Sequence, residues 1–221
     1  MTHQPAISFS NSIHFPFNRA GGRTSNVRQK CLSMILYHGD DILDIDLTLT
    51  LSVLRLLDEK LDAIISQAIA FEQMDSLGHF DEVEHLLGFG VVGVQTYMTD
   101  IASFAGFQKH ETFQYGPTTK NGTSKIKIIN AVANYWKHRS EWALNGGGKR
   151  QEAIEELFDE VGYSTDTEYP VSGVLTELLF TPLDTRLFNL AGMLVDWRNS
   201  IFSDPRAKNR RGEQDSGGNG G

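Results

Sequence analysis

The chain has 221 residues, 40% of them hydrophobic and 22% charged, with a formal net charge of −8. This is ordinary globular composition, long enough for one domain to bury its own core. It excludes an internal disulfide, since Cys31 is the single cysteine, and the acidic balance opposes long-range attraction to nucleic acid, so any such contact needs a local patch.

No apolar run approaches the roughly 20 residues a membrane span requires, so no membrane association is expected. Residues 1–30 are rich in Ser, Asn, Gly and Arg, carry Arg19, Arg23, Arg28 and Lys30, and hold no acid. They read as a flexible N-terminal segment. They lack a basic start followed by an apolar stretch, so no secretion signal is expected and the expected compartment is the cytoplasm. Residues 31–204 read as a single helical domain, and residues 205–221 as a disordered basic, Gly-rich tail.

Between the ends the apolar spacing is helical, in steps of three and four. The acid-rich turn His38-Gly39-Asp40-Asp41 precedes a first helix over about residues 42–74, whose stripe includes Leu47, Leu51, Leu54, Leu57 and Leu61. Acids at that point suit a helix N-terminus. A second helix over about 81–104 carries Leu87, Val91, Val94, Met98 and Ile101. Its Gly88, Gly90 and Gly93 predict a kink or a tight crossing. Gln95 on this helix is a polar rung that could face the third helix. Glu82-x-x-His85 is half of a di-iron pattern whose other half is missing, and no metal or cofactor is implied.

Residues 106–122 read as a polar loop with turn signals at Gly116-Pro117 and Asn121-Gly122. Thr123 or Ser124 then caps a third helix reaching about residue 142. Glycines 146–148 stop it. A fourth helix is expected over about 149–161, a fifth over 172–180, and a sixth from Pro182 to about residue 203.

The third helix carries the chemistry. At about 100° per residue, Ile126, Ile128, Ile129, Val132, Ala133, Tyr135 and Trp136 form its broad apolar side. Lys127, Asn130, Asn134, Lys137, His138 and Glu141 fall in one narrow arc. Asn130, Asn134 and His138 stack at i, i+4 and i+8, and Glu141 lies one turn on, where it could orient the imidazole. Such a row offers donors and acceptors to a phosphate or a base edge, with the histidine as proton donor or acceptor. A merely solvated face would more often use Glu, Lys and Gln, because Asn is a poor helix former.

The stretch Ala133-Asn134-Tyr135-Trp136-Lys137-His138 resembles the signature of HEPN domains. That signature is an arginine, a polar residue that is often Asn, a few residues, and a histidine. Asn134 stands at the polar position and His138 at the histidine, while Ala133 stands where the family has its arginine. The resemblance implies a small helical bundle of the kind common in prokaryotic toxin and defence systems. Many of these are metal-independent RNases and usually dimers. It implies His138 as acid/base group and Asn134 and Asn130 as phosphate-holding groups.

With alanine at 133, the cation that must meet charge building on the phosphate comes from elsewhere. The candidates are Lys137, Arg139 and Arg198, the last within Trp197-Arg198-Asn199, which reads like the Arg-Asn half of the same signature. The expected fold is therefore all-α, an up-and-down bundle of five or six helices with disordered termini. The expected partners are RNA and a second copy or another protein. Two readings stay open: an RNA-directed protein, binding or cleaving, and a non-catalytic dimerisation or protein-interaction module.

Overall fold

The computed structural model describes residues 34–38, 41–71, 78–179 and 186–207. Cys31, the segment 1–30 and residues 208–221 of the tail lie outside the described residues.

The body is an all-α bundle with one small hairpin at its start. Strand β1 (Ile35–His38) pairs antiparallel with β2 (Asp41–Asp44), Ile35 opposite Asp44 and His38 opposite Asp41. Helices α1 (Ile45–Phe71), α2 (His79–Phe104), α3 (Lys125–Asn145), α4 (Gly148–Asp159), α5 (Pro170–Leu179) and α6 (Leu190–Ser203) follow in order. A 3-10 helix, Lys109–Gln114, lies between α2 and α3, in what reads from sequence as plain loop.

The first helix starts at Ile45 rather than 42, because residues 42–44 belong to β2. Asp44 then ends the strand and caps the helix, its Oδ1 accepting the Leu47 N–H at 2.8 Å. The acid that starts this helix is thus Asp44, at the end of β2. The body extends past Pro205: Ala207 is buried, and the Arg206 guanidinium lies over Phe107 and donates to Asp204 and Tyr115.

Helix α2 runs through the core. Its Leu87, Val91, Val94, Met98 and Ile101 are buried, as are Leu54 and Leu61 of α1 and Ile128, Ile129 and Val132 of α3. Each such side chain contributes about 1.5–3 kcal/mol. Two of the α2 glycines are there for closeness. A Cβ at Gly88 would overlap the Trp136 indole of α3, and one at Gly90 would meet the Leu187 side chain at 2.5 Å. Gly93 has open space around it.

Buried carboxylates join the elements by accepting from helix starts. Glu84 of α2 takes the Val171 and Ser172 N–H groups at 2.8 and 2.9 Å, which seats the first turn of α5. Asp58 of α1 takes Leu187 and Phe188 N–H at 2.7 and 2.9 Å, which seats the approach to α6. Unpaired N–H groups at helix N-termini and their dipole favour this arrangement.

Candidate phosphate-binding row on the third helix

Helix α3 is fixed at both ends by its own sequence. Ser124 Oγ accepts the Lys127 N–H at 3.3 Å, and Gly146 adopts a positive φ of 71° where the helix stops. Along its length it lies between α2, where Trp136 fills the space left by Gly88, and α4, where Tyr135 packs against Phe158 with ring centroids 5.3 Å apart.

The polar arc is organised by a residue of α2. Gln95 is buried, and its Nε2 donates to Asn130 Oδ1 at 2.8 Å and to Asn134 Oδ1 at 3.0 Å. Its Oε1 accepts from Lys137 Nζ at 2.5 Å. The lysine fixes which way the Gln95 amide faces, since an ammonium can only donate. The Gln95 NH2 therefore meets both asparagine oxygens. An amide whose oxygen is turned inward presents its NH2 on the opposite side. The Nδ2 atoms of Asn130 and Asn134 have no partner among the described residues.

Helix α4 brings Arg150 to the same place, where one of its terminal nitrogens lies 3.4 Å from Asn134 Oδ1. Asn130, Asn134 and Arg150 line a groove of about 280 Å³ between α3 and α4. Its lining carries Arg150 and Lys127 as cations and Glu156 and Glu160 as acids, Glu160 being bonded to Thr123 Oγ1. Lys109, from the 3-10 helix, does not line the groove but stands near enough to feel the charges of Lys137 and Arg150. Its pKa is lowered by burial first, then by the charges of Lys137 and Arg150. Lys137 is lowered by burial and then by Arg150. Among the described residues no carboxylate pairs with Lys109, Lys137 or Arg150. Lys109 is positioned by its segment: the Trp197 indole N–H donates to the Thr112 carbonyl at 2.9 Å, and Glu111, the nearest acid in sequence, is occupied by the Gln108 N–H at 2.6 Å.

The structure divides the residues singled out from sequence. Asn130, Asn134 and Lys137 come together as the spacing predicts. His138 does not line the groove. Its Nδ1 faces Glu141 Oε2 at 2.9 Å, and its ring stacks on Trp142 at 5.9 Å with an interplanar angle of 21°. The side chain is 25% exposed, so the imidazole is held by a carboxylate and an indole rather than standing free in solvent. With Nδ1 engaged, Nε2 is the nitrogen available for proton transfer.

Two of the candidate cations go elsewhere. Arg198 is not brought to the row: its Nη1 lies 2.9 Å from Asp44 Oδ2, an oxygen that also accepts from Tyr97 OH at 2.8 Å. Both side chains of that pair are nearly enclosed, at 11% and 2% exposure, so Arg198 is a structural partner of Asp44. Burial and then the same carboxylate hold the Tyr97 hydroxyl protonated far above its ordinary range. Arg139 lies 3.6 Å over the Trp136 ring, where its charge meets the indole face and not the row. Ala133 is fully buried against the core, a position that has no room for an arginine head group. His85 of the half di-iron pattern sets its ring edge-on to Trp136, and its Nδ1 meets the Asp81 carbonyl.

Lys109 and Arg150 are functional candidates that sequence reading missed. One signal was available for Arg150. It stands in the first turn of a helix, where the macrodipole disfavours a cation, so its presence there calls for another reason. None of the described helices is long and apolar enough to cross a membrane. Set against known proteins, the chain matches no family model, no curated protein and no solved structure.

Proposed function

We propose that the chain is a HEPN-like, RNA-directed protein of a prokaryotic toxin or defence system, whose third-helix row holds phosphate. One observation carries this reading. In a body of net negative charge, Asn130 and the Asn134 and Lys137 of the HEPN-like stretch are joined through Gln95, Arg150 reaches Asn134 from α4, and no described carboxylate pairs with Lys137 or Arg150. Arg150 and Lys109 stand in for the arginine that Ala133 replaces. His138, tied to Glu141, is the acid/base group in the cleaving form of this reading. There its Nε2 would take the 2′-hydroxyl proton or return one to the leaving oxygen.

The test is fluorescence anisotropy with a labelled single-stranded RNA of mixed sequence in EDTA, followed by gel analysis of the same mixtures. Wild type is expected to bind, and Lys137→Ala to weaken binding for every sequence tried. Any cleavage is expected to vanish in His138→Ala while binding stays. A wild type that neither binds nor cuts RNA sinks the reading.

A second reading, a non-catalytic dimerisation module, is favoured by a separate surface. Leu49, Val53 and Leu56 share one face of α1 at i, i+4 and i+7, and each is more than half exposed. A second copy covering that stripe would give a dimer by light scattering, and Val53→Glu would return it to monomer. A strictly monomeric wild type removes this reading.

A further inference from the structure

The row and its neighbours hold more positive charge than one backbone phosphate needs. An internal phosphodiester carries a single negative charge, whereas Lys109, Lys137 and Arg150 bring three positive charges to one place. Several described cations elsewhere on this body have an acidic or aromatic counterpart. Arg198 pairs with Asp44, Arg206 pairs with Asp204, and Arg55 and Arg139 lie over aromatic rings. Lys137 and Arg150 meet only neutral amide oxygens, Lys109 has no bonded partner among the described residues, and the asparagine NH2 groups beside them add donors.

We propose that Lys109, Lys137 and Arg150, with the amides of Asn130 and Asn134, form a binding site for a phosphate monoester, the terminal phosphate of an RNA strand or of a nucleotide. A monoester carries a charge of about −1.5 to −2 near pH 7 and three strong acceptor oxygens, which matches three converging cations better than a diester does. The inference rests on reading the row as a phosphate surface and narrows what it takes. Lysine ammonium groups serve as point charges here, and the Arg150 guanidinium can bridge two oxygens of one phosphate. The lowered lysine pKa values agree: burial is the first cause and the neighbouring cations the second, and a bound dianion relieves the second. A site of this kind costs stability while it is empty.

Thermal unfolding and isothermal titration with inorganic phosphate, at constant ionic strength in chloride, test the site without RNA. Wild type is expected to gain several degrees in Tm with millimolar phosphate. Lys109→Met is expected to match or exceed wild type in Tm without phosphate and to show no phosphate shift. Lys137→Met provides a second variant should the first misfold. Strands of one sequence ending in 5′-phosphate, 3′-phosphate or hydroxyl are then compared, with a nucleoside monophosphate beside them. A phosphorylated strand at least about tenfold tighter than its hydroxyl-ended form supports the proposal and assigns the group to an RNA end. A monophosphate as tight as the strand supports it and assigns the group to a free nucleotide. Absence of a phosphate shift in wild type, or its survival in both variants, overturns the proposal. Equal binding of phosphorylated and hydroxyl-ended strands overturns it while leaving RNA binding intact. Phosphate binding without RNA binding keeps the site and removes the RNA reading.

Discussion

The Asp44 junction and the α3 row hold cations in opposite ways. At the junction, one carboxylate oxygen accepts from both Arg198 and Tyr97, and the other caps α1. Every charge there has its counterpart inside the protein. At the row, Lys137 and Arg150 rest on amide oxygens and no described acid answers them. Burying a matched pair fixes a fold, and leaving cations unmatched costs stability that a ligand can return. The contrast separates the arginine that resembles a signature, Arg198, from the cations proposed to meet an anion.

The largest expected effect belongs to the junction. Asp44→Ala strands a nearly enclosed guanidinium together with a tyrosine hydroxyl and a helix-capping position, and should cost roughly 3–5 kcal/mol in urea unfolding. The double variant Asp44→Leu with Arg198→Met should be milder than the single change, because no lone charge remains. A single change as mild as the double would break the contrast at its structural side. Next in size is Gly88→Ala. The added methyl must displace the Trp136 indole, which should cost roughly 1–3 kcal/mol and alter tryptophan fluorescence. Unchanged stability would mean that α2 and α3 are not seated as described.

A smaller effect follows from the lysines. Lys109 has its pKa lowered in the fold by burial, then by Lys137 and Arg150, while in the unfolded chain it keeps a value near 10.5. Between those values the unfolded chain holds more protons, so stability contributed at this position rises with pH across that window. Lys109→Met should therefore be the more stable protein at neutral pH, and its advantage over wild type should shrink as pH approaches 10.5. A constant difference across that range would show that neither burial nor the neighbouring charges lower this lysine's pKa.

Much of the fold is legible in the sequence because it is local. Ser124, Gly146 and Gly162 mark helix ends by the backbone chemistry they permit, and the spacing of Leu87, Val91, Val94 and Met98 shows the face of α2 that enters the core. The hairpin was equally local: Gly39-Asp40 between two short apolar runs is a turn signal. Helical spacing continuing through Ile42 and Ile45 hid it. The row is only half legible. Periodicity places Asn130, Asn134, Lys137 and His138 on one arc, but it does not say what faces that arc. Gln95 faces the arc, as its place among the apolar residues of α2 allows, but Lys109 and Arg150 come from two further elements at separations that only the packed bundle reveals. Likewise nothing local shows that the His138 ring stacks on Trp142, or that Asp44, far away in sequence, claims Arg198.

The central claim, that the row meets phosphate through unmatched cations, is tested most directly by the salt dependence of single-stranded RNA binding in wild type and Arg150→Gln. Counterion release makes the logarithm of affinity fall linearly with that of salt concentration, with a slope of about −0.7 per phosphate contacted on a single strand. Wild type should show a steep slope, and Arg150→Gln should bind more weakly to all sequences with the slope reduced by about one contact. Equal slopes in the two proteins, or RNA affinity indifferent to salt, would contradict the claim.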